Sequence, residues 1–186
     1  MTSVRRLAAA MAAGALVIVL GGVGGAAGAA PTQTTPSVCK LVTTKEAARI
    51  LGTPVNKGKQ KKVPPPAGAK ASQCEWASKT KGVGGIDGSP FKLQVELTTG
   101  ANVAADYEEA KDKVDFDDLE TVPDLGTDAF FDDSPFSGVH VLAAQDQVLS
   151  VKVTNYNTAK AELPQSPEEM SIEAARIAIG RLTPTA

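Results

Sequence analysis

The two cysteines of this chain, Cys39 and Cys74, are the strongest constraint on its fold, and the first 29 residues decide what they do. Arg5 and Arg6 form a short positive segment, Leu7 to Leu20 is an uncharged apolar run, and small residues follow up to Ala27-Gly28-Ala29. A positive end, an apolar centre and a small-residue site are the three parts of a secretory signal. Cleavage after Ala29 and export are expected. The competing reading, an uncleaved anchor, is weakened by the Gly and Ala content of the span. An exported chain meets an oxidising compartment, where an even pair of cysteines reads as a disulfide. A Cys39–Cys74 bridge would close a loop of about 36 residues and stabilise the fold by roughly 4 kcal/mol in the chain-entropy model. Two cysteines with no nearby histidine are too few for structural zinc, and no metal or other cofactor is expected. Lipid attachment needs a cysteine directly after the apolar run. Cys39 lies far past it, behind Pro36-Ser37-Val38, so the mature chain is expected to be secreted or wall-associated and not lipidated.

Removal of 29 of the 186 residues leaves 157 and takes away two positive charges, so the net charge moves from −2 to −4. That length suits one domain with one core. A mildly acidic chain lacks the basic face that nucleic acid asks for, and no stable membrane insertion is expected once the signal is gone. Residues 30–37 are Pro/Thr-rich and polar, a linker; the domain is expected over 38–183.

Thr43 and Glu46 have capping-box spacing ahead of Ala47, Ala48, Ile50 and Leu51, and Gly52 with Pro54 suits the stop of a first helix. Residues 56–72 carry Lys57, Lys59, Lys61, Lys62 and Pro64-Pro65-Pro66, which reads as an extended mobile loop; a basic patch for acidic envelope polymer is the functional alternative. Residues 73–78 read as a strand. Phe91, Leu93, Val95 and Leu97 alternate with Lys92, Gln94 and Glu96, a half-buried strand with one wet face. Val103, Tyr107, Ala110 and Val114 share one face of a helix over 102–114. Residues 115–124 read as an acidic irregular stretch. Strands are expected over 127–131, 138–143 and 148–154, with Gln145-Asp146 as a turn and Leu149, Val151 and Val153 facing the core. Ser166, Pro167 and Glu169 start a last helix, its inner stripe being Ile172, Ala175, Ile179 and Leu182, widened by Ile177 and Ala178. The order α-β-β-α-β-β-β-α lacks the β-α-β rhythm of a parallel sheet. An α+β fold with helices packed on one face of an antiparallel sheet is expected, with a weak twofold echo of helix followed by hairpin.

Cys39-Lys40-Leu41-Val42-Thr43, Glu46-Ala47-Ala48, Ile50-Leu51-Gly52 and Cys74-Glu75-Trp76 resemble the opening of a family of small actinobacterial exported proteins and lipoproteins that carry a domain of unknown function. Leu125-Gly126-Thr127-Asp128-Ala129-Phe130 is similar to that family's mid-domain turn into a strand. The resemblance covers most of 38–182. It implies an extracytoplasmic α+β domain with the two cysteines bridged, and it brings no catalytic residues.

Chemistry is sparse. His140, the only histidine, falls in an expected strand opposite Val139 and Val141, and no sequence motif places a nucleophile or carboxylate beside it. No Gly-x-Ser-x-Gly elbow is present, and Gly82-Val83-Gly84-Gly85 lacks the spacing of a phosphate loop. Asp115, Asp117, Asp118 and Glu120, even if joined by Asp128, Asp132 and Asp133, read as a solvated acidic loop, because calcium needs six or more converging oxygens. Trp76, two residues from Cys74, suits either core packing beside a disulfide or a ligand-stacking wall. The expectation is a noncatalytic cell-envelope module that binds a small apolar ligand or an envelope protein, with Trp76, Phe91, Phe130 and Phe136 as walls of an apolar cleft. The alternatives are a hydrolase with scattered catalytic residues and a structural secreted protein without a ligand.

Overall fold

A computed structural model describes residues 37–79, 91–114, 118–133, 138–155 and 163–182. The expected signal, nearly all of the expected linker, the Gly82–Gly85 run and Phe136 lie outside the described residues. A 3-10 turn at Val38–Lys40 leads into helix α1, Thr44–Ile50. Strands β1, Lys59–Lys62, β2, Lys70–Ala77, and β3, Phe91–Thr99, precede helix α2, Val103–Asp112. Four strands then follow: β4, Leu119–Thr121, β5, Asp128–Asp132, β6, Val139–Ala144, and β7, Gln147–Asn155, before helix α3, Pro167–Leu182. The class is α+β. The seven strands form one antiparallel sheet in the order β1-β2-β3-β7-β6-β5-β4.

The twofold echo takes shape in this order. Each half is a helix followed by a meander, and the meanders join along their last strands, β3 and β7. Two elements differ from the sequence reading. The Lys/Pro stretch expected as a mobile loop contributes β1, which pairs with β2 from Lys59 opposite Glu75 to Lys62 opposite Ser72. The acidic stretch contributes β4, paired with β5. Neither strand has an apolar alternation of its own, since all four residues of β1 are exposed. Their partners specify them. Gly58 lets β1 start, because a Cβ there would lie 2.7 Å from the Trp76 ring and 2.9 Å from the Cys74 sulfur.

One face of the sheet holds the main core. Cys74, Val95, Val151 and Val139 lie in one cross-strand row on β2, β3, β7 and β6, and all are buried. The 3-10 turn, α1 and α3 pack against this face with Val38, Leu41, Ile50, Leu51 and Met170. The buried stripe of α3 runs through Met170, Ala174 and Ala178 with Ser171 and Ala175, while Ile172, Ile177, Ile179 and Leu182 flank it, partly buried. Small residues occupy the stripe because they let the helix approach β7 closely. Ser171 uses its hydroxyl to accept the Val153 N–H at 3.1 Å and to donate to the Pro167 carbonyl at 2.7 Å.

Both capping boxes form. Thr43 Oγ1 accepts the Glu46 N–H at 3.2 Å, and Glu46 accepts the Thr43 N–H at 2.7 Å. Ser166 and Glu169 do the same at 3.1 and 3.0 Å. Gly52 takes φ +62°, as the end of α1 requires. Arg181 of α3 donates to Glu46 at 2.6 and 2.9 Å and to the Leu41 carbonyl at 2.6 Å, tying α3 to α1.

The disulfide is present: Cys39 Sγ and Cys74 Sγ are 2.02 Å apart, and the bond fastens the 3-10 turn to β2. Helix α2 departs from the expectation of one helical face. Tyr107 packs with Phe130 and Leu142, on the side of β5 and β6 opposite Ala129, Val139 and Val141. The period-2 alternation of β5 puts Ala129 and Phe131 on one side and Phe130 on the other, so α2 finds its apolar partners only on the second face. Ala110, expected on the inner face of this helix, stays exposed.

Candidate functional site

The second face of the sheet is divided. Around β5 and β6 it is apolar and covered by α2. Along β2, β3 and most of β7 it is polar, because outward residues there include Gln73, Glu75, Gln94, Glu96, Ser150 and Lys152, all half-buried, while Val148 at the start of β7 packs with the α2 cluster. The pairing places Gln73 opposite Glu96, Glu96 opposite Ser150, and Ser150 opposite His140. One row of four hydrogen-bonding side chains therefore crosses four strands. With Gln94 and Lys152 from the next row, these residues line a cleft of about 320 Å³. Gly138 completes its rim. A Cβ there would meet the Val151 carbonyl oxygen at 2.2 Å, so only glycine fits.

His140 is the pivot of the row. Its Nδ1 lies 3.0 Å from Ser150 Oγ, and its ring stacks on Phe130 with centroids 5.0 Å apart. Burial lowers its pKa, and the Lys152 charge adds to this against the opposing pull of Asp132. Burial likewise lowers the pKa of Lys152, again with Asp132 opposing.

The two carboxylates of this face differ. Burial pushes Glu75 up, but the hydrogen bond from Lys61 at 2.8 Å, the Lys92 and Lys61 charges and the Gln94 amide at 3.1 Å outweigh it, so its pKa falls. Among the described residues Glu96 has only the Gln73 amide, at 3.3 Å, and burial raises its pKa. Among the described residues no cation stands at salt-bridge distance from Glu96.

The aromatic residues expected to wall an apolar cleft lie elsewhere. Trp76 is 1 % exposed and Phe91 5 %, both in the core under the helix-covered face. Phe130 is buried on the opposite face between Tyr107 and His140. Strand parity puts Trp76 and Phe91 on one face and Phe130 on the other, and all three are buried, so they do not converge on one cleft. Of the acidic residues weighed for calcium, Asp128 accepts from Tyr107 Oη at 3.0 Å and Lys111 Nζ at 2.6 Å. Among the described residues no group of three or more His, Cys, Asp or Glu is arranged to hold a metal ion. A second depression of about 440 Å³ lies between β4 and the start of α3. Its charged residues are Asp118, Glu120, Asp133 and Glu168, all of one sign, and Glu168 is raised by burial and then by Glu120, Glu169 and Asp133.

The sequence carried one signal for the polar row, the alternation of β3 and β7. It did not say which rows would stand side by side, because register is set by pairing. No family model, curated protein or solved structure matches the chain. No helix among the described residues is long and apolar enough to cross a membrane.

Proposed function

We propose that the protein is an exported, noncatalytic binding module of the cell envelope, related to the actinobacterial exported family that its opening resembles, and that it takes a small polar ligand in the cleft on β2, β3, β6 and β7. The observation that carries the reading is the in-register row Gln73–Glu96–Ser150–His140 around a cleft of about 320 Å³. Specific small-molecule sites are concave and set orientation with a few converging polar groups. The polar lining replaces the apolar ligand expected from Trp76, Phe91 and Phe130, since those rings serve the core. The signal-like first 29 residues and the disulfide support an extracytoplasmic place.

The Ser150–His140 contact favours a second reading, a hydrolase. A nucleophile needs a base within hydrogen-bond reach and donors for the developing oxyanion. The 3.0 Å separation meets the first need. Ser150 sits mid-strand, flanked by β3 and β6, so its backbone is committed to the sheet rather than to an oxyanion hole, which supports binding over turnover.

Protein-observed NMR titration with three pooled probe sets (amino acids, monosaccharides and fatty acids) tests the proposal. Amide shifts should cluster at Gln94, Glu96, Ser150 and Lys152 for one polar set. Absence of any shift on this face for all three sets would overturn it. Ester or amide turnover abolished by Ser150→Ala would replace it with the hydrolase reading.

A further inference from the structure

We infer that the cleft recognises a small zwitterion of amino-acid size, with Glu96 holding its ammonium group and Lys152 its carboxylate. The inference rests on the binding reading above and names its ligand chemistry.

Glu96 is the starting point. A half-buried carboxylate costs free energy unless it is paired or fully hydrogen-bonded, and Glu96 has a single long amide contact from Gln73. Its neighbour on the same face, Glu75, is satisfied by Lys61 and Gln94. The two sites sit on paired strands, but Glu96 is the more deeply buried and has the fewer partners. A cation arriving in the cleft supplies Glu96 with what Lys61 supplies to Glu75.

The opposite charge is close by. Glu96 pairs with Ser150, and Lys152 is the next residue along β7 on the same face. That makes Glu96 and Lys152 diagonal neighbours, whose Cα atoms lie about 7–8 Å apart in an antiparallel sheet. An α-amino acid places its nitrogen about 2.5 Å from its carboxyl carbon. Both side chains can pivot beyond Cβ, so one charge-assisted contact of about 2.8 Å at each end lets such a molecule bridge them. Gln94 and Ser150, which complete the four-residue patch, hold amide and hydroxyl groups for the remaining ammonium hydrogens and carboxylate lone pairs. The volume matches too. A cleft of about 320 Å³ is at the lower end of ligand sites and suits a compact molecule.

Isothermal titration of the purified protein with L-alanine, N-acetyl-L-alanine and L-alaninamide tests the inference, with Tm followed in parallel to establish folding. L-alanine should bind. N-acetylation, which removes the ammonium charge, should weaken affinity at least tenfold, and amidation should weaken it several-fold. Glu96→Gln, which retains shape and an acceptor for Gln73, should weaken L-alanine at least tenfold with Tm not lowered. Lys152→Met should weaken L-alanine and leave L-alaninamide unchanged. Binding of N-acetyl-L-alanine as tight as that of L-alanine, or a Glu96→Gln protein that binds like wild type, would overturn the ammonium assignment while leaving a binding cleft. No heat with any amino-acid probe, alongside amide shifts from monosaccharides on this face, would overturn the zwitterion and keep the binding reading. No response from any probe on this face would overturn both.

Discussion

The two faces of the central sheet are built from the same strands and solve opposite problems. On the covered face Cys74, Val95, Val151 and Val139 form a row with no polar atom to satisfy, and two helices and a disulfide close over it. One residue along each strand, Gln73, Glu96, Ser150 and His140 form a row made only of hydrogen-bonding groups. The covered face gains its stability from area removed from water, about 25 cal/mol per Å². The polar row gains little from folding, and among the described residues it leaves one carboxylate, Glu96, without a cation at salt-bridge distance. A surface that stability does not require, and that carries an uncompensated charge, is where a ligand contributes most. The second face also shows that a helix follows apolar rows rather than faces: α2 settles where Phe130, Leu142 and Val148 stand together.

The sharpest way to break this comparison is to open the covered face. Replacing Cys39 and Cys74 together by alanine should lower unfolding stability by about 4 kcal/mol, read by denaturant unfolding, because the bond fastens the 3-10 turn over β2. A loss below about 1 kcal/mol would mean that packing alone holds the covered face. Two adjacent residues of β3 make the comparison finer. Leu93→Ala, at a side chain with no exposure, should cost about 3 kcal/mol. Gln94→Ala, one residue on, should stay within about 0.5–1 kcal/mol, and equal costs would refute the division between faces.

The effects that depend on pH have opposite signs. Glu46, which ties α1 to α3, is held at about 2, below its usual 4.5, by the hydrogen bond from Arg181 first, with burial opposing and Thr43 adding. A depressed folded pKa contributes stability that is present above pH 4.5 and lost as pH falls towards 2. Glu46→Gln should remove that acid dependence and cost about 1–2 kcal/mol at pH 7 after solvent screening. Glu96, raised by burial, runs the other way. Its contribution is full below pH 4.5 and declines as pH rises through its raised value, so Glu96→Gln should raise Tm at pH 7. Melts from pH 3 to 8 measure both, and a Glu96→Gln protein that melts lower at pH 7 would show its charge to be compensated.

Particular residues show how far the amino-acid order reaches. Thr43, Glu46 and Gly52 announced α1, and Ser166 with Glu169 announced α3, because caps are local: the groups involved lie within one turn of each other. The alternation from Phe91 to Leu97 declared both the buried and the wet side of β3, because period 2 is a property of one strand. Lys59–Lys62 carried no such pattern. It becomes a strand because β2 has an edge to pair and Gly58 fits over Trp76. The amino-acid order does not separate Trp76 and Phe91 from Phe130, because nothing local reveals parity between strands distant in sequence. For the same reason no local pattern joins His140 to Ser150, which lies 3.0 Å away.

What the sequence determined by itself was therefore local and covalent: the caps, the alternation, the α+β class and the only cysteine pair there was to join. What the tertiary structure decided was adjacency: the meanders meeting at β3 and β7, α2 on the second face, and the meeting of Gln73, Glu96, Ser150 and His140. The physical reason is that pairing register is chosen by the whole set of buried rows at once. Every polar residue that ends up beside another on the far face arrives there as a consequence of how the valines and leucines pack.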